Sequence, residues 1–184
     1  LHRPADATIH AGATAQNFGR ARTDGTMRAM SSTESIWKPE VTVAAVIERD
    51  GRFLLIEEET EHGPLFNQPA GHLEANETLT EAVVRETLEE SAHHFVPEAL
   101  LGVYHHAQAA RATYMRFAFA GRVTNHDAGR ALDQGILRHV WMSLDEVRAC
   151  HARHRSPLVL QCIADFLAGP RYPLDILNRY APQS

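Results

Sequence analysis

Three glutamates, Glu86, Glu89 and Glu90, are spaced so that a helix would place them on one face. Residues three and four positions apart are neighbours on a helix, so these negative charges would repel one another. A divalent cation removes that repulsion, and Mg²⁺ prefers carboxylate oxygens together with retained water. The spacing therefore predicts a metal site, although the same pattern taken alone favours a solvated acidic helix face.

The segment before this helix has the residues of a sharp bend. Pro69 and Gly71 let the backbone turn, and the carbonyl of Ala70 is predicted to face the same ions. Glu77 and Arg85 lie eight positions apart and would pair if the loop folds back onto the helix. A substrate phosphate would then be bridged to an acidic surface by metal, without lysines.

Other side chains are candidates for substrate contact. Arg116 lies in an alternating strand, where it contacts phosphate if it points inward and solvent if it does not. Gln68 and His72 flank the bend and either meet substrate or form loop surface. Asp133 is a candidate for a further metal ligand or base. Trp141 is assigned to the core in preference to a base-stacking platform.

Strand patterns and helix patterns alternate along the chain. Asp50-Gly51 predicts a hairpin turn, and Thr78 and Ser143 each begin a capping box. Pro69-Ala70-Gly71 is predicted to interrupt regular structure. Strands are predicted at 41–47, 52–57, 65–68, 100–105, 114–123 and 140–142, and helices at 78–91, 144–151 and 157–168. The interleaving predicts an α/β fold with a mixed β-sheet between helices.

Composition narrows the class of protein. The 184 residues carry a net charge of -5, which disfavours a general nucleic-acid binder. Only two cysteines, Cys150 and Cys162, are present, so a reducing cytoplasm fits better than a disulfide framework. Apolar runs are too short for a membrane span. Residues 1–36 are predicted to be a disordered extension, and 37–184 to be one domain with a tail that packs back.

The spacing of the acidic segment resembles the signature of the Nudix family. Gly71, Glu77, Arg85-Glu86 and Glu89-Glu90 match the pattern G-x5-E-x7-R-E-x2-E-E. Chance agreement at one starting point is on the order of one in ten million. The chain departs from the family pattern at Thr87, Ala92 and His93, which concern the packing and exit of the helix more than its acidic face.

The resemblance implies a fold and a mechanism. It implies the Nudix α/β/α sandwich over about residues 38–168. Glu89 and Glu90 would ligate Mg²⁺ or Mn²⁺, and Glu86 would be a ligand or help to activate water. Glu77 and Arg85 would mainly orient the site. The implied reaction is water attack at phosphorus in a small di- or triphosphate compound.

Segments outside the signature are similar to the bacterial NudJ-type phosphatase subfamily. They include 37–39, 41–44, 67–74, 116–117, 155–159 and 171–174. This resemblance implies nucleoside di- and triphosphates, or hydroxymethylpyrimidine pyrophosphate, as substrates and orthophosphate as product. The expected partner is a small phosphorylated molecule, with no nucleic acid or membrane. Two alternatives stay open: a Nudix-fold binding or regulatory module without turnover, and an RNA 5′-end pyrophosphohydrolase.

Overall fold

The structure is a computed structural model that describes residues 37–107, 112–169, 171–178 and 180. The predicted extension over 1–36 lies outside the described residues. Within the described ranges, no helix combines the length and the apolarity needed to cross a bilayer.

A tight hairpin begins the fold. Strand β1 (Glu40–Arg49) turns at Asp50-Gly51 into strand β2 (Arg52–Glu58). Both turn residues have positive φ, 54° and 76°, which is the backbone of a two-residue hairpin turn and suits glycine. The hairpin predicted from Asp50-Gly51 is therefore confirmed, with Arg49 opposite Arg52.

Seven strands form one mixed sheet. The other five strands are β3 (Leu65–Asn67), β4 (Ala70–His72), β5 (His93–Ala107), β6 (Thr113–His126) and β7 (Ile136–Ser143). The order is β3-β2-β1-β6-β5, with β4 on β1 and β7 on β2. The β1–β6 pair is parallel and the other pairs are antiparallel.

Alternate residues of β1 point to opposite faces of the sheet and pack into two apolar layers, one on each face. Val43 belongs to the layer under helix α1 (Leu79–Ser91), which buries Ala82 and Val83. Val46 belongs to the layer under α2 (Leu144–Ala149) and α3 (Leu158–Ala168). Helices therefore cover both faces of a mixed sheet, which confirms the predicted α/β/α sandwich.

Capping boxes fix where two helices begin. The Thr78 hydroxyl accepts from the Glu81 amide at 3.1 Å, and the Glu81 carboxylate accepts from the Thr78 amide at 2.7 Å. Ser143 and Glu146 repeat the arrangement at α2. Both predicted boxes are confirmed. The α2 helix is shorter than predicted, because a 3₁₀ turn over His151–Arg153 follows it.

Strand β5 differs most from its prediction, which covered only 100–105. It begins at His93 and passes through Pro97, where the pairing register with β6 shifts. Proline has no amide hydrogen for the ladder, so it ordinarily ends a strand, and a bulge is one of the places where a sheet tolerates it. Strands β6 and β7 likewise extend beyond their apolar runs into polar residues.

The bend before α1 is more regular than predicted. Ala70–His72 forms a short strand antiparallel to β1, with Ala70 opposite Ala44 and His72 opposite Thr42. The prediction that Pro69-Ala70-Gly71 interrupts regular structure was wrong for the last two residues. Proline itself is accommodated at the edge of this strand, and its carbonyl accepts from the Ala45 amide at 2.9 Å.

The chain after α3 returns to the sheet. Tyr172 exchanges two backbone hydrogen bonds with Leu100, of 2.8 and 2.9 Å. Leu174 and Leu177 pack against the layer beneath α1. The predicted packing of the tail is therefore present in its described part.

Truncation of Ile163 tests the layer beneath α3. Its side chain is fully buried there, so Ile163→Ala would leave a cavity and lower the free energy of unfolding by about 2–5 kcal/mol. Leu167→Ala on the same helix removes a side chain that is 56% exposed, and a change of no more than about 0.5 kcal/mol is expected. Urea unfolding measures both. Equal losses for the two variants would contradict the assignment of this face to the core.

Candidate active site

A cleft of about 730 Å³ opens where the N-terminal ends of β1 and β6 meet the bend and α1. It is lined by most of the residues that the sequence predicted for the site: Ala70, Gly71, His72, Arg85, Glu86, Glu89, Glu90, Arg116 and Asp133. These residues come from a strand, a helix, a second strand and a loop. The sheet and α1 together therefore assemble the cleft.

Arg85 is the centre of an ion-pair network on the acidic wall of the cleft. Its Nη2 donates to Glu77 at 2.8 Å and to the carbonyl of His72 at 3.1 Å. Its Nη1 donates to Glu86 at 2.8 Å and to Glu89 at 3.0 Å. The pairing of Glu77 with Arg85 that the sequence suggested is present, and it ties α1 to the bend that precedes it.

Glu90 has a different partner. Its carboxylate accepts the Ala70 amide at 2.8 Å, which joins the last turn of α1 to β4. Burial is the main cause that raises the pKa of Glu90 to about 8, and the neighbouring carboxylates of Glu86, Glu58 and Asp133 contribute to the same shift. A carboxylate that holds its proton so strongly lies where negative charge is poorly compensated.

Glu86 lies against the glycine of the bend. A Cβ atom at Gly71 would overlap the Glu86 carboxyl group, so any other residue there would make the Glu86 side chain move. Burial raises the pKa of Glu86, and Glu89 and Asp133 add to the effect, while Arg85 opposes it. Asp133 approaches from the loop before β7, where its amide donates to the carbonyl of Glu89 at 3.0 Å.

The donor set of this wall fits a hard divalent cation. Carboxylate oxygens are the ligands of Mg²⁺ and Mn²⁺, and the raised pKa values show that positive charge would be favourable. The oxygens of Glu86 and Glu89 accept hydrogen bonds from Arg85. Among the described residues, the one group of three candidate ligand atoms lying within 4.8 Å of one another consists of histidines. Mg²⁺ usually keeps several waters, so a cation at this wall can be shared by more widely spaced carboxylates.

Arg116 points into the cleft from the opposite side, which decides between its two predicted orientations. Its Nη1 atom is buried and has no hydrogen-bond partner in the protein. Burial lowers the pKa of Arg116, opposed by the charges of Glu58 and Glu90. A buried guanidinium with a free donor is costly unless a ligand accepts from it.

Three further polar atoms with no hydrogen-bond partner lie in the same cleft, on Thr42, Glu58 and Asn67. Together with Arg116 they account for four of the five buried side-chain atoms of this kind among the described residues. Buried polar groups are ordinarily paired, so this concentration indicates a binding site for a polar ligand.

Sequence reasoning did not identify Thr42, Glu58 or Asn67. Each stands in a strand, and no local spacing marks it. Arg155 belongs to a polar run at 153–155, which favours a solvated turn over a phosphate contact, yet it lines the cleft with its Nε 3.4 Å from Glu58. The one sequence signal for Glu58 is its place in the run of glutamates at 57–59, which follows the apolar residues of β2.

Gln68 was wrongly predicted, because neither substrate contact nor loop surface describes it. Only 1% of it is exposed, and it is not among the residues that line the cleft. Its amide donates to the Val159 carbonyl at 2.8 Å and so links the bend to α3. His72 does line the cleft and is exposed. Trp141 packs against the layer under α1, as its assignment to the core predicted.

The three departures from the family pattern have local explanations. The buried Thr87 hydroxyl donates to the Val83 carbonyl at 2.7 Å, which satisfies it among apolar neighbours. Ala92 ends α1 in the left-handed region at φ 57°, where glycine is the usual residue. His93 is buried directly after it. None of the three changes the acidic face of α1.

Comparison with known proteins agrees with this geometry. A family model for the NUDIX domain matches residues 38–162. The chain is 36% identical to the phosphatase NudJ of Escherichia coli K12 over 145 residues, which cover 79% of this chain and 94% of the relative.

Solved structures show the same relationship. A NUDIX hydrolase from Nitrosomonas europaea is 54% identical, with a TM-score of 0.76 and coverage of 78% of this chain and 98% of that one. A MutT NUDIX hydrolase from Burkholderia pseudomallei is 23% identical, with a TM-score of 0.60 over 70% and 98% of the two chains, and shows the shared fold. By its sequence signature, its sandwich and these relatives, the chain belongs to the Nudix family and is a hydrolase.

Proposed function

We propose that this enzyme hydrolyses a phosphoanhydride bond in a small di- or triphosphate compound, with Mg²⁺ or Mn²⁺ as cofactor. The observation that carries the proposal is the pairing of two walls in one cleft. One wall presents the carboxylates of Glu86, Glu89, Glu90 and Asp133, and the other presents a buried guanidinium with an unused donor.

The acidic wall would hold the metal. Glu86, Glu89 and Glu90 are the proposed ligands, with the Ala70 carbonyl and Asp133 as further oxygen donors. When bound, the divalent cation supplies charge neutralisation at the phosphate and lowers the pKa of the attacking water. Glu86, or Asp133, would accept the proton that this water releases.

The remaining residues would position the anion and the acids. Arg116 would donate to phosphate oxygens through its free Nη1, since a guanidinium fork suits that geometry. Arg155, which also lines the cleft, adds a second positive charge near Glu58. Arg85 already uses its donors on carboxylates and a carbonyl, so we assign it to positioning the acids rather than to binding phosphate.

Nucleoside di- and triphosphates and hydroxymethylpyrimidine pyrophosphate are the proposed substrates, with orthophosphate as product. The likeness to the phosphatase NudJ supports this class. The size of the cleft suits a small molecule, and the acidic composition, with a net charge of -5, gives no support to an RNA 5′-end substrate.

Removing the charge of Glu89 or Glu90 tests whether the acidic wall binds the metal. Glu89→Gln and Glu90→Gln keep the side-chain shape but lose a negative charge, so kcat should fall at least about 100-fold. Phosphate release from ADP, ATP and hydroxymethylpyrimidine pyrophosphate with Mg²⁺ measures the effect. Both variants should keep the wild-type circular dichroism spectrum.

Glu98→Gln is the matched control, because Glu98 is exposed and pairs with Arg122 outside the cleft. It should retain wild-type turnover. Equal rates in the wild type and all three variants would contradict metal binding by the acidic wall. Substrate binding without turnover in the wild type would support a binding module instead.

Arg116→Lys tests the opposite wall. Lysine keeps the charge but loses the planar fork, so kcat/KM should fall about 10–100-fold through the loss of a charge-assisted hydrogen bond. Arg122→Lys on the same strand changes an exposed arginine and should have little effect. Steady-state kinetics with each substrate compares them, and unchanged kinetics in Arg116→Lys would remove Arg116 from the binding site.

A further inference from the structure

Three histidines from three strands meet beyond the C-terminal end of α1. His93 is the first residue of β5 and lies opposite His126, the last residue of β6. His139 of β7 completes the group. The ring centroids are 4.5 Å apart for His93 and His126, 4.8 Å for His93 and His139, and 5.0 Å for His126 and His139. One nitrogen from each ring can be chosen so that all three lie within 4.8 Å of one another.

The protonation of the group suits metal binding. Burial lowers the pKa of His93 to about 4, and burial also lowers the pKa of His139. Both rings are therefore neutral at pH 7, and a neutral imidazole has a lone pair available for a metal.

A hydrogen bond to the backbone fixes the orientation of the His93 ring. Its Nδ1 lies 2.8 Å from the Ser91 carbonyl, so Nδ1–H donates there and the lone pair is left on Nε2. Metal-binding histidines commonly donate their other ring nitrogen to a carbonyl in this way, which fixes both the tautomer and the ring orientation.

We propose that His93, His126 and His139 form a second metal site, for a borderline transition-metal ion of the Zn²⁺ class. Imidazole nitrogen suits Zn²⁺, Co²⁺, Ni²⁺ and Cu²⁺, whereas Mg²⁺ prefers oxygen. Three protein ligands leave a fourth tetrahedral position for water. His126 is exposed, so an ion can reach the group from solvent.

One neighbouring charge opposes this site. Arg49 stacks its guanidinium on Trp141 at 4.1 Å, and Trp141 lies 5.7 Å from His93. The positive charge of Arg49 disfavours a second cation nearby. Affinity must therefore come from the three nitrogen bonds, which favours Zn²⁺ over ions held mainly by charge.

The site would fix a loop that reaches the catalytic cleft. His126 and His139 stand on either side of the loop that carries Asp133, and Asp133 lines the cleft beside Glu89. An ion bound to both histidines would tie the two ends of this loop together in the folded protein. The role is structural, and it does not depend on the proposed reaction.

Metal titration of the tag-free, chelator-treated protein tests the proposal. Excess Mg²⁺ is kept present so that it competes with Zn²⁺ for the acidic wall of the cleft. Zn²⁺ binding is followed by calorimetry. We expect one Zn²⁺ per chain in the wild type and an affinity at least about tenfold weaker in His126→Asn and His139→Asn. At a hundredfold excess over Kd, Zn²⁺ should raise the wild-type Tm by roughly 5–10 °C, and should raise it less in those variants.

His94→Asn is the matched control, because His94 adjoins His93 on β5 but is exposed and outside the group. It should bind Zn²⁺ as the wild type does. Wild-type affinity in both His126→Asn and His139→Asn, or no Zn²⁺ binding in the wild type, would overturn the proposal. Loss of the ion in Glu90→Gln but not in His126→Asn would place it in the cleft and overturn it equally.

Discussion

The guanidinium of Arg85 is the contact on which the acidic wall depends. Carboxylates from one helical face repel one another, and α1 places them in a partly buried cleft where that repulsion is stronger than in water. Arg85 offsets it by donating to Glu77, Glu86 and Glu89 at 2.8–3.1 Å. The same side chain reaches the His72 carbonyl, so the charge that stabilises the helix also fixes the bend beside it.

That arrangement leaves Glu90 as the acid with the least compensation. Its partner is a neutral amide, that of Ala70, and burial raises the pKa of Glu90 more than this hydrogen bond lowers it. A cation there would stabilise the ionised carboxylate of Glu90. The opposite wall of the cleft lacks an acceptor, because the Nη1 atom of Arg116 has no hydrogen-bond partner. A metal-bound phosphate compound would satisfy both walls at once.

The sequence predicts a contact correctly where the two partners are close together along the chain. The pairing of Glu77 with Arg85, the cap at Thr78 and the turn at Asp50-Gly51 follow from spacing within a few residues, and the structure contains them. Glu58 and Arg155 are brought to the cleft by strand pairing and by the turn before α3, and no short pattern encodes that approach. Gln68 stands only two residues before Ala70, yet its side chain is buried and donates to the Val159 carbonyl of α3, a contact across 91 positions that no short pattern encodes.

The central claim is that the carboxylates of α1 bind a divalent cation inside the cleft. Crystals soaked in Mn²⁺, with diffraction data collected at the manganese absorption edge, locate such an ion directly. The account predicts an anomalous peak in the cleft, in contact with oxygens of Glu89 and Glu90, and its loss in Glu90→Gln. A cleft without a peak at Mn²⁺ concentrations that support turnover, or a peak confined to the histidine group, would contradict it.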